Sequence, residues 1–222
     1  AVPEKLCCKL DKKTKDNDAL FAILGAISLH GIRMSNPTIG ENYCVIGLGL
    51  IGIITCLLLK ANGCKVIAMD TNSERVKLAL DHGVNAINNS IVKNPKSICD
   101  SFSDNIGLDG AIVCIDAENS EALQLASEVL RRRGRIVLIG NSKINLSRDI
   151  FYKKELNFSV SRSYGPGRYE NNYEKKSLDY PIDYVRWTQN RNIQTIVELI
   201  NENKINFQKL VTHSFKFEDF KK

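Results

Sequence analysis

Hydrophobic positions along this chain fall into short β-branched runs separated by amphipathic stretches, the pattern of strands alternating with helices. Residues 43–46 form an apolar run that stops at Gly47, and 50–62 follow as an apolar helix ended by Gly63. Residues 65–70 read as a second buried strand finishing on Asp70, 73–82 as an amphipathic helix closed by Gly83, and 85–88 as a short edge strand. The polar stretch 89–107 is read as loop with one short helix over 96–102. Then come a buried strand at 109–115, a helix at 120–130, a strand at 135–140 and a sixth strand at 156–161. Such alternation predicts an α/β fold, a Rossmann-type doubly wound parallel sheet of about six strands in the order 3-2-1-4-5-6.

The segment Tyr43-Cys-Val-Ile-Gly-Leu-Gly-Leu-Ile-Gly52 places a GxGxxG pattern between the first strand and its helix. Gly47 takes the tight turn, Gly49 lets backbone approach a pyrophosphate, and Gly52 lets the helix lie close to the strand. The helix start aims free N–H groups and its positive dipole end at the phosphates. Asp70 lies 18 residues past Gly52, near the spacing of an acid that binds an adenosine ribose. A carboxylate there accepts ribose hydroxyls and repels a 2′-phosphate, so NAD is expected over NADP; Arg75 tempers this slightly, and a cap for the next helix is the competing role for Asp70. Ligands of such sheets bind beyond the carboxyl ends of the strands, which puts 114–118 and 140–142 on the nicotinamide side. The expected cofactor-binding set is Gly47, Gly49, Leu50, Ile51, Gly52, Asp70, Thr71, Arg75, Cys114, Ile115, Gly140 and Asn141.

At 222 residues and 43% hydrophobic content, the chain has material for one good core plus appendages. It has no apolar run of bilayer-spanning length and no signal-peptide pattern, so a soluble, cytoplasmic protein without a membrane partner is expected. The seven cysteines, at 7, 8, 44, 56, 64, 99 and 114, form no CxxC pair and read as free, mostly buried thiols. The net charge of +6 and the run Arg131-Arg-Arg-Gly-Arg135 raise nucleic-acid binding, which is disfavoured. Cations suit a helix C-terminus, Gly134 reads as a stop signal, and no aromatic residues interleave to stack bases. The lysine-rich run 12–15 reads as a solvated loop.

Gly31-Ile-Arg, Gly40-Glu-Asn-Tyr-Cys-Val-Ile-Gly-Leu-Gly, Asp70-Thr-Asn-Ser-Glu-Arg-Val and Gly134-Arg-Ile-Val-Leu-Ile-Gly together resemble the cofactor half of medium-chain, zinc-type alcohol dehydrogenases. Arg148-Asp-Ile-Phe-Tyr-Lys-Lys-Glu155, Ser161-Arg-Ser-Tyr-Gly-Pro-Gly-Arg-Tyr-Glu170 and Asp179-Tyr-Pro-Ile-Asp-Tyr-Val-Arg-Trp-Thr188 resemble a bacterial subgroup fused to a downstream Gfo/Idh/MocA-type oxidoreductase and associated with surface polysaccharide or sugar metabolism. The resemblance implies an upstream GroES-like catalytic domain, most of it before Ala1. The chain is then an excised piece of a longer protein, with Ala1 left from cloning. Residues 1–40 would be a lead-in containing a helix at 19–33, 41–161 the NAD-binding domain, and 162–222 a return toward the catalytic domain with a helix at 193–203 and a strand at 210–215. It also implies a homodimer joined at the sixth strand.

Zinc-type relatives often take a Cys ligand from the segment before the first cofactor strand, but here 23–27 reads Ile-Leu-Gly-Ala-Ile. His30 and Cys44 are the nearest candidates, the four-cysteine structural zinc loop is absent, and no zinc is expected in this fragment. Tyr164-Gly-Pro-Gly-Arg-Tyr169 reads as a turn. In it, Arg162, Arg168 and Tyr169 are candidates for a phosphate or carboxylate on a nucleotide-linked sugar; alternatively Arg168, Arg186 and Trp187 tie the segment to the missing domain. Two functions stay open: hydride transfer between NAD and a sugar alcohol or ketone, and a non-catalytic NAD-binding or redox-sensing module serving a fused enzyme. No tyrosine begins the YxxxK pair of a short-chain dehydrogenase.

Overall fold

The computed structural model describes residues 2–12, 14 and 16–219. Lys13 and Lys15, half of the lysine-rich run, lie outside the described residues, as does Ala1.

The strands are β1 (Asn42–Ile46), β2 (Lys65–Asp70), β3 (Asn85–Asn88), β4 (Leu108–Val113), β5 (Asp116–Ala117), β6 (Leu130–Leu138), β7 (Asn141–Ser142) and β8 (Asn157–Val160). The helices are α1 (Asp16–Ala19), α2 (Ala22–Ser35), α3 (Leu50–Ala61), α4 (Ser73–Asp81), α5 (Pro95–Phe102), α6 (Glu121–Val129), α7 (Arg148–Lys154), α8 (Asn171–Glu174) and α9 (Gln189–Asn201). Six strands form one parallel sheet in the order β3-β2-β1-β4-β6-β8, and the two-residue β5 and β7 pair apart from it. Counted along the chain, the six long strands run 3-2-1-4-5-6, the expected doubly wound order.

Successive strand residues face opposite sides of a sheet, and here both sides are covered. Tyr43 and Val45 of β1 join Val66, Ala68 and Ile112 in one core beneath α2, α3 and α9. Cys44 and Ile46, with Ile67, Met69, Val113 and Leu138, enter a second core that α5 and α6 cover. The strand reversal between β1 and β4 opens a gap at the carboxyl end of the sheet, where ligands of this fold class bind.

Several expectations change. The single helix over 19–33 is two pieces, α1 and α2, interrupted at Leu20 and Phe21. The buried Asp18 carboxylate accepts the Phe207 N–H at 2.9 Å and contacts the Gln208 amide at 3.3 Å, a tie that local periodicity does not reveal. The helix over 120–130 stops at Val129, and β6 starts at Leu130 instead of Arg135. Arg133 adopts φ 62° and the β4–β6 register shifts between Leu108 and Gly110, so Gly134 follows a strand irregularity rather than stopping a helix. Residues 211–216 pair with no strand among the described residues, so the strand expected at 210–215 does not form there, and a 3-10 turn, Gln208–Leu210, begins the segment instead.

Candidate functional site

The gap above β1 and β4 is a cleft of about 700 Å³, within the range of small-molecule sites. Its floor is the glycine turn. Gly47 has φ 95°, and a Cβ there would lie 2.7 Å from Ile115 and 3.0 Å from the Cys114 carbonyl carbon, so neither the angle nor the space suits a side chain. A Cβ on Gly52 would meet the Gly47 carbonyl oxygen at 1.8 Å, which locks the start of α3 onto the turn. Gly49 differs. Its φ of −64° suits any residue, and a Cβ there would meet nothing within 4 Å, so its open side is cleft.

Gly49 is also the N-cap of α3, and among the described residues no side chain caps that helix. The amides of Leu50, Ile51 and Gly52 therefore begin a helix without a side-chain acceptor, in the dipole orientation that favours an anion. An uncapped apolar helix opening on a side-chain-free approach fits a pyrophosphate.

Asp70 ends β2 on the cleft wall and is 7% exposed. Its Oδ2 accepts the Leu48 N–H at 2.6 Å and its Oδ1 accepts the Asn72 N–H at 2.8 Å. Arg75 Nη1 stands 3.7 Å from Oδ2. A carboxylate offers about four acceptor positions, so these contacts leave capacity for ribose hydroxyls. Asp70 is not the cap of the next helix: Asn72 is, its side-chain oxygen accepting from the amides of Glu74 and Arg75.

Of the expected set, Gly47, Gly49, Asp70, Thr71, Arg75, Cys114 and Ile115 line the cleft together. Leu50, Ile51 and Gly52 form the first turn of α3 beneath it. Gly140 and Asn141 are not on its wall and instead brace the rim. A Cβ on Gly140 would lie 1.9 Å from the Ile115 carbonyl oxygen, and Asn141 donates to Asp116 at 3.2 Å where β5 and β7 pair. The Cys114 thiol is pushed up to about 12 by burial, opposed by its contact with Thr55, and stays a neutral wall group.

Asn89, Asn119, Glu121, Ala122 and Leu125 also line the cleft and were not anticipated. Asn89 immediately follows β3, and its buried Oδ1 has no partner among the described residues. The rule that sites gather beyond strand ends would have found it. Glu121, Ala122 and Leu125 share one face of the first turns of α6, which their spacing allows but does not single out.

Among the described residues, no three His, Cys, Asp or Glu side chains group closely enough to hold a metal ion. Cys44 is fully buried in β1, and burial, then Arg33, lowers the pKa of His30. Arg168 pairs with Glu174, whose carboxylate also accepts the Tyr169 N–H at 2.7 Å. That internal acid already occupies the guanidinium proposed for a ligand anion. Trp187 stacks within the chain on Arg33 and Arg186. In the basic run, Arg131, Arg133 and Arg135 each face a carboxylate, those of Asp109, Glu155 and Glu41. No helix among the described residues is long and apolar enough to cross a membrane.

The model of the family described as zinc-binding dehydrogenase matches residues 51–178, more than half of the chain, from the first turn of α3 to just past α8. The chain belongs to that family. This zinc-type dehydrogenase chain is 29% identical to the probable D-xylulose reductase A of Aspergillus terreus, over 99% of its own length and 57% of that protein's. It thus spans little more than half the length of the curated relative it matches. An alcohol dehydrogenase from Escherichia coli CFT073, solved with NADH, superimposes with a TM-score of 0.74 at 23% identity, covering 95% of this chain and 55% of the other. A zinc-binding dehydrogenase from Sinorhizobium meliloti, solved with NADP, gives 0.71 at 16%, covering 92% and 54%. At these identities the two structures establish the shared dehydrogenase fold.

Proposed function

We propose that this chain is the NAD-binding part of an oxidoreductase that moves a hydride between NAD and an alcohol or ketone of a polyol or sugar. The observation that carries this reading is the Asp70 carboxylate on the cleft wall, hydrogen-bonded to the glycine turn that would hold the pyrophosphate. The similarity to D-xylulose reductases supports a polyhydroxylated substrate. NAD is favoured over NADP because a 2′-phosphate would meet the negative charge of Asp70, only partly offset by Arg75.

NAD supplies or accepts the hydride. The chain's own groups would bind and orient it: the α3 amides would hold the pyrophosphate, Asp70 the ribose, and the rim of Cys114, Ile115 and Asp116 would border the nicotinamide side. Substrate contacts come from outside this chain, from a GroES-like domain of which residues 1–40 and 162–222 are the flanks around the cofactor domain at 41–161. The motifs at 148–155, 161–170 and 179–188 support a place beside a Gfo/Idh/MocA-type partner in bacterial surface polysaccharide metabolism, with dimerisation at β8 and a cytoplasmic location. The second reading, an NAD-binding module without its own catalysis, is favoured by one feature: no Cys stands at 23–27 to hold a catalytic zinc.

The test is turnover of a panel of pentitols, ketoses and sugar nucleotides by the full-length protein, with and without Asp70→Ala. Loss of turnover in the variant is expected under the first reading. Turnover indifferent to every cofactor-cleft substitution would exclude it.

A further inference from the structure

Among the described residues, five arginines are half-buried: Arg33, Arg131, Arg135, Arg168 and Arg191. Four have a carboxylate: Asp109 at 2.7 Å from Arg131, Glu41 at 2.6 Å from Arg135, Glu174 beside Arg168, and Asp179 at 3.1 Å from Arg191. Arg33 has none among the described residues. Its hydrogen-bond partner is the neutral carboxamide oxygen of Asn192, and its guanidinium stacks on Trp187 at 3.3 Å. Arg186 stacks on the same indole at 3.8 Å, also without an acid among the described residues. Burial, then the neighbouring Arg186, depresses the Arg33 pKa to about 10, as expected for a cation short of counter-charge. Leaving a desolvated charge unpaired is costly, and every other half-buried arginine here avoids it.

Arg33 and Trp187 line a cavity of about 490 Å³ between α2, α3 and α9. It lies at the carboxyl end of α3, whereas the cofactor cleft lies at the amino end; a helix of that length separates the two by about 18 Å. Its walls are mostly apolar, including Leu29, Ile32, Leu58 and Leu199, with Asn36, Asn62 and Thr195 as polar neighbours, and among the described residues Arg33 is the one charged side chain that lines it. A guanidinium fork beside mostly apolar walls matches the planar carboxylate of a molecule with a hydrophobic body, and the nearby Arg186 adds to the attraction for an anion.

We propose that this cavity is a second ligand site, specific for small organic carboxylates: the carboxylate pairs with Arg33 and the apolar body lies against Trp187 and the leucines. The inference does not depend on the cofactor reading.

Trp187 is the only tryptophan in the chain, so its emission reports occupancy directly. The experiment is a titration of the 222-residue chain with 3-phenylpropionate and with its neutral isostere 3-phenylpropanamide. The expected result is a saturable change in Trp187 emission with the carboxylate, and affinity at least about tenfold weaker for the amide, the size of one charge-assisted hydrogen bond. Arg33→Gln should remove the preference for the carboxylate. Ala61→Phe, which adds bulk to the wall from an exposed helix end, should abolish binding of both probes. Both variants should retain the parent's circular dichroism and melting transition. Equal binding of acid and amide, an undiminished preference in a folded Arg33→Gln, or no saturable response at millimolar probe would each overturn the proposal.

Discussion

The carboxylate of Asp70 accepts a 2.6 Å hydrogen bond from the backbone N–H of Leu48, joining the end of β2 to the middle of the glycine turn. The group proposed to select the ribose is thus the group that shapes the phosphate loop, and the two subsites should fail together. Asp70→Ala leaves the buried amide of Leu48 without its acceptor and frees that of Asn72. We expect a loss of about 2–4 kcal/mol in denaturant stability, from bonds to a charged acceptor. Asp70→Asn keeps one acceptor oxygen and should cost less. Equal stability of Asp70→Ala and the parent would show that the loop does not lean on this residue.

Gly49 and Gly52 separate cofactor binding from folding. Gly52→Ala drives a Cβ to within 1.8 Å of the Gly47 carbonyl oxygen, and should destabilise the chain by about 3 kcal/mol or more. Gly49→Ser adds its side chain on the open cleft side at an ordinary φ and offers the uncapped α3 a hydroxyl acceptor. Its stability should stay level or rise by about 0.3 kcal/mol, while NADH affinity falls at least about tenfold. Thermal melts paired with NADH fluorescence titrations would check both; undiminished NADH binding by Gly49→Ser would place the pyrophosphate elsewhere.

Stability should fall on the alkaline side. Burial pushes the Cys114 thiol and the Tyr43 phenol up to about 12 each, and Cys56 shifts upward for the same reason. The native fold favours the neutral form of each group. Its contribution is complete below the unfolded values, about 8.5 for Cys and 10 for Tyr, and is lost as pH rises through the folded ones. Melting temperature should be flat from pH 7 to 8 and decline from about pH 9, less steeply at first in Cys114→Ala. A melting temperature unchanged to pH 11 would contradict this.

The same burial makes a thiol count informative. Cys7 is exposed and Cys8 half-buried, while Cys44, Cys56, Cys64 and Cys99 are buried and Cys114 is a neutral wall group. A chromogenic disulfide added to native protein at pH 8 should react quickly with Cys7, more slowly with Cys8, whose thiol burial and then Glu198 push up, and with the others only on unfolding. Reaction of more than these two in the native protein would mean that the cores open readily.

The unit from β1 through the glycine turn and α3 to Asp70 was legible in the sequence because its signals are local: an apolar run, punctuating glycines, a helix stop and a terminal acid. Strand order followed from the alternation of elements. What escaped depends on residues far apart in the chain. The break between α1 and α2 accompanies the bond from Asp18 to the amide of Phe207, and the entry of Asn89 and Leu125 into the cleft depends on where separate strand ends converge. Arg33 and Trp187, stacked at 3.3 Å but 154 positions apart, left no joint mark on the hydrophobic pattern. The strand expected at 210–215 shows the converse limit, since a strand-like pattern becomes a strand only where it pairs with another, and among the described residues this segment pairs with none.

The most direct test of the central claim is calorimetric titration of this chain with NADH and with NADPH at one salt concentration, repeated with Asp70→Asn. The account predicts that NADH binds more tightly, and that the preference collapses in the variant while its fold persists. Tighter binding of NADPH, or a preference that survives loss of the carboxylate charge, would contradict it.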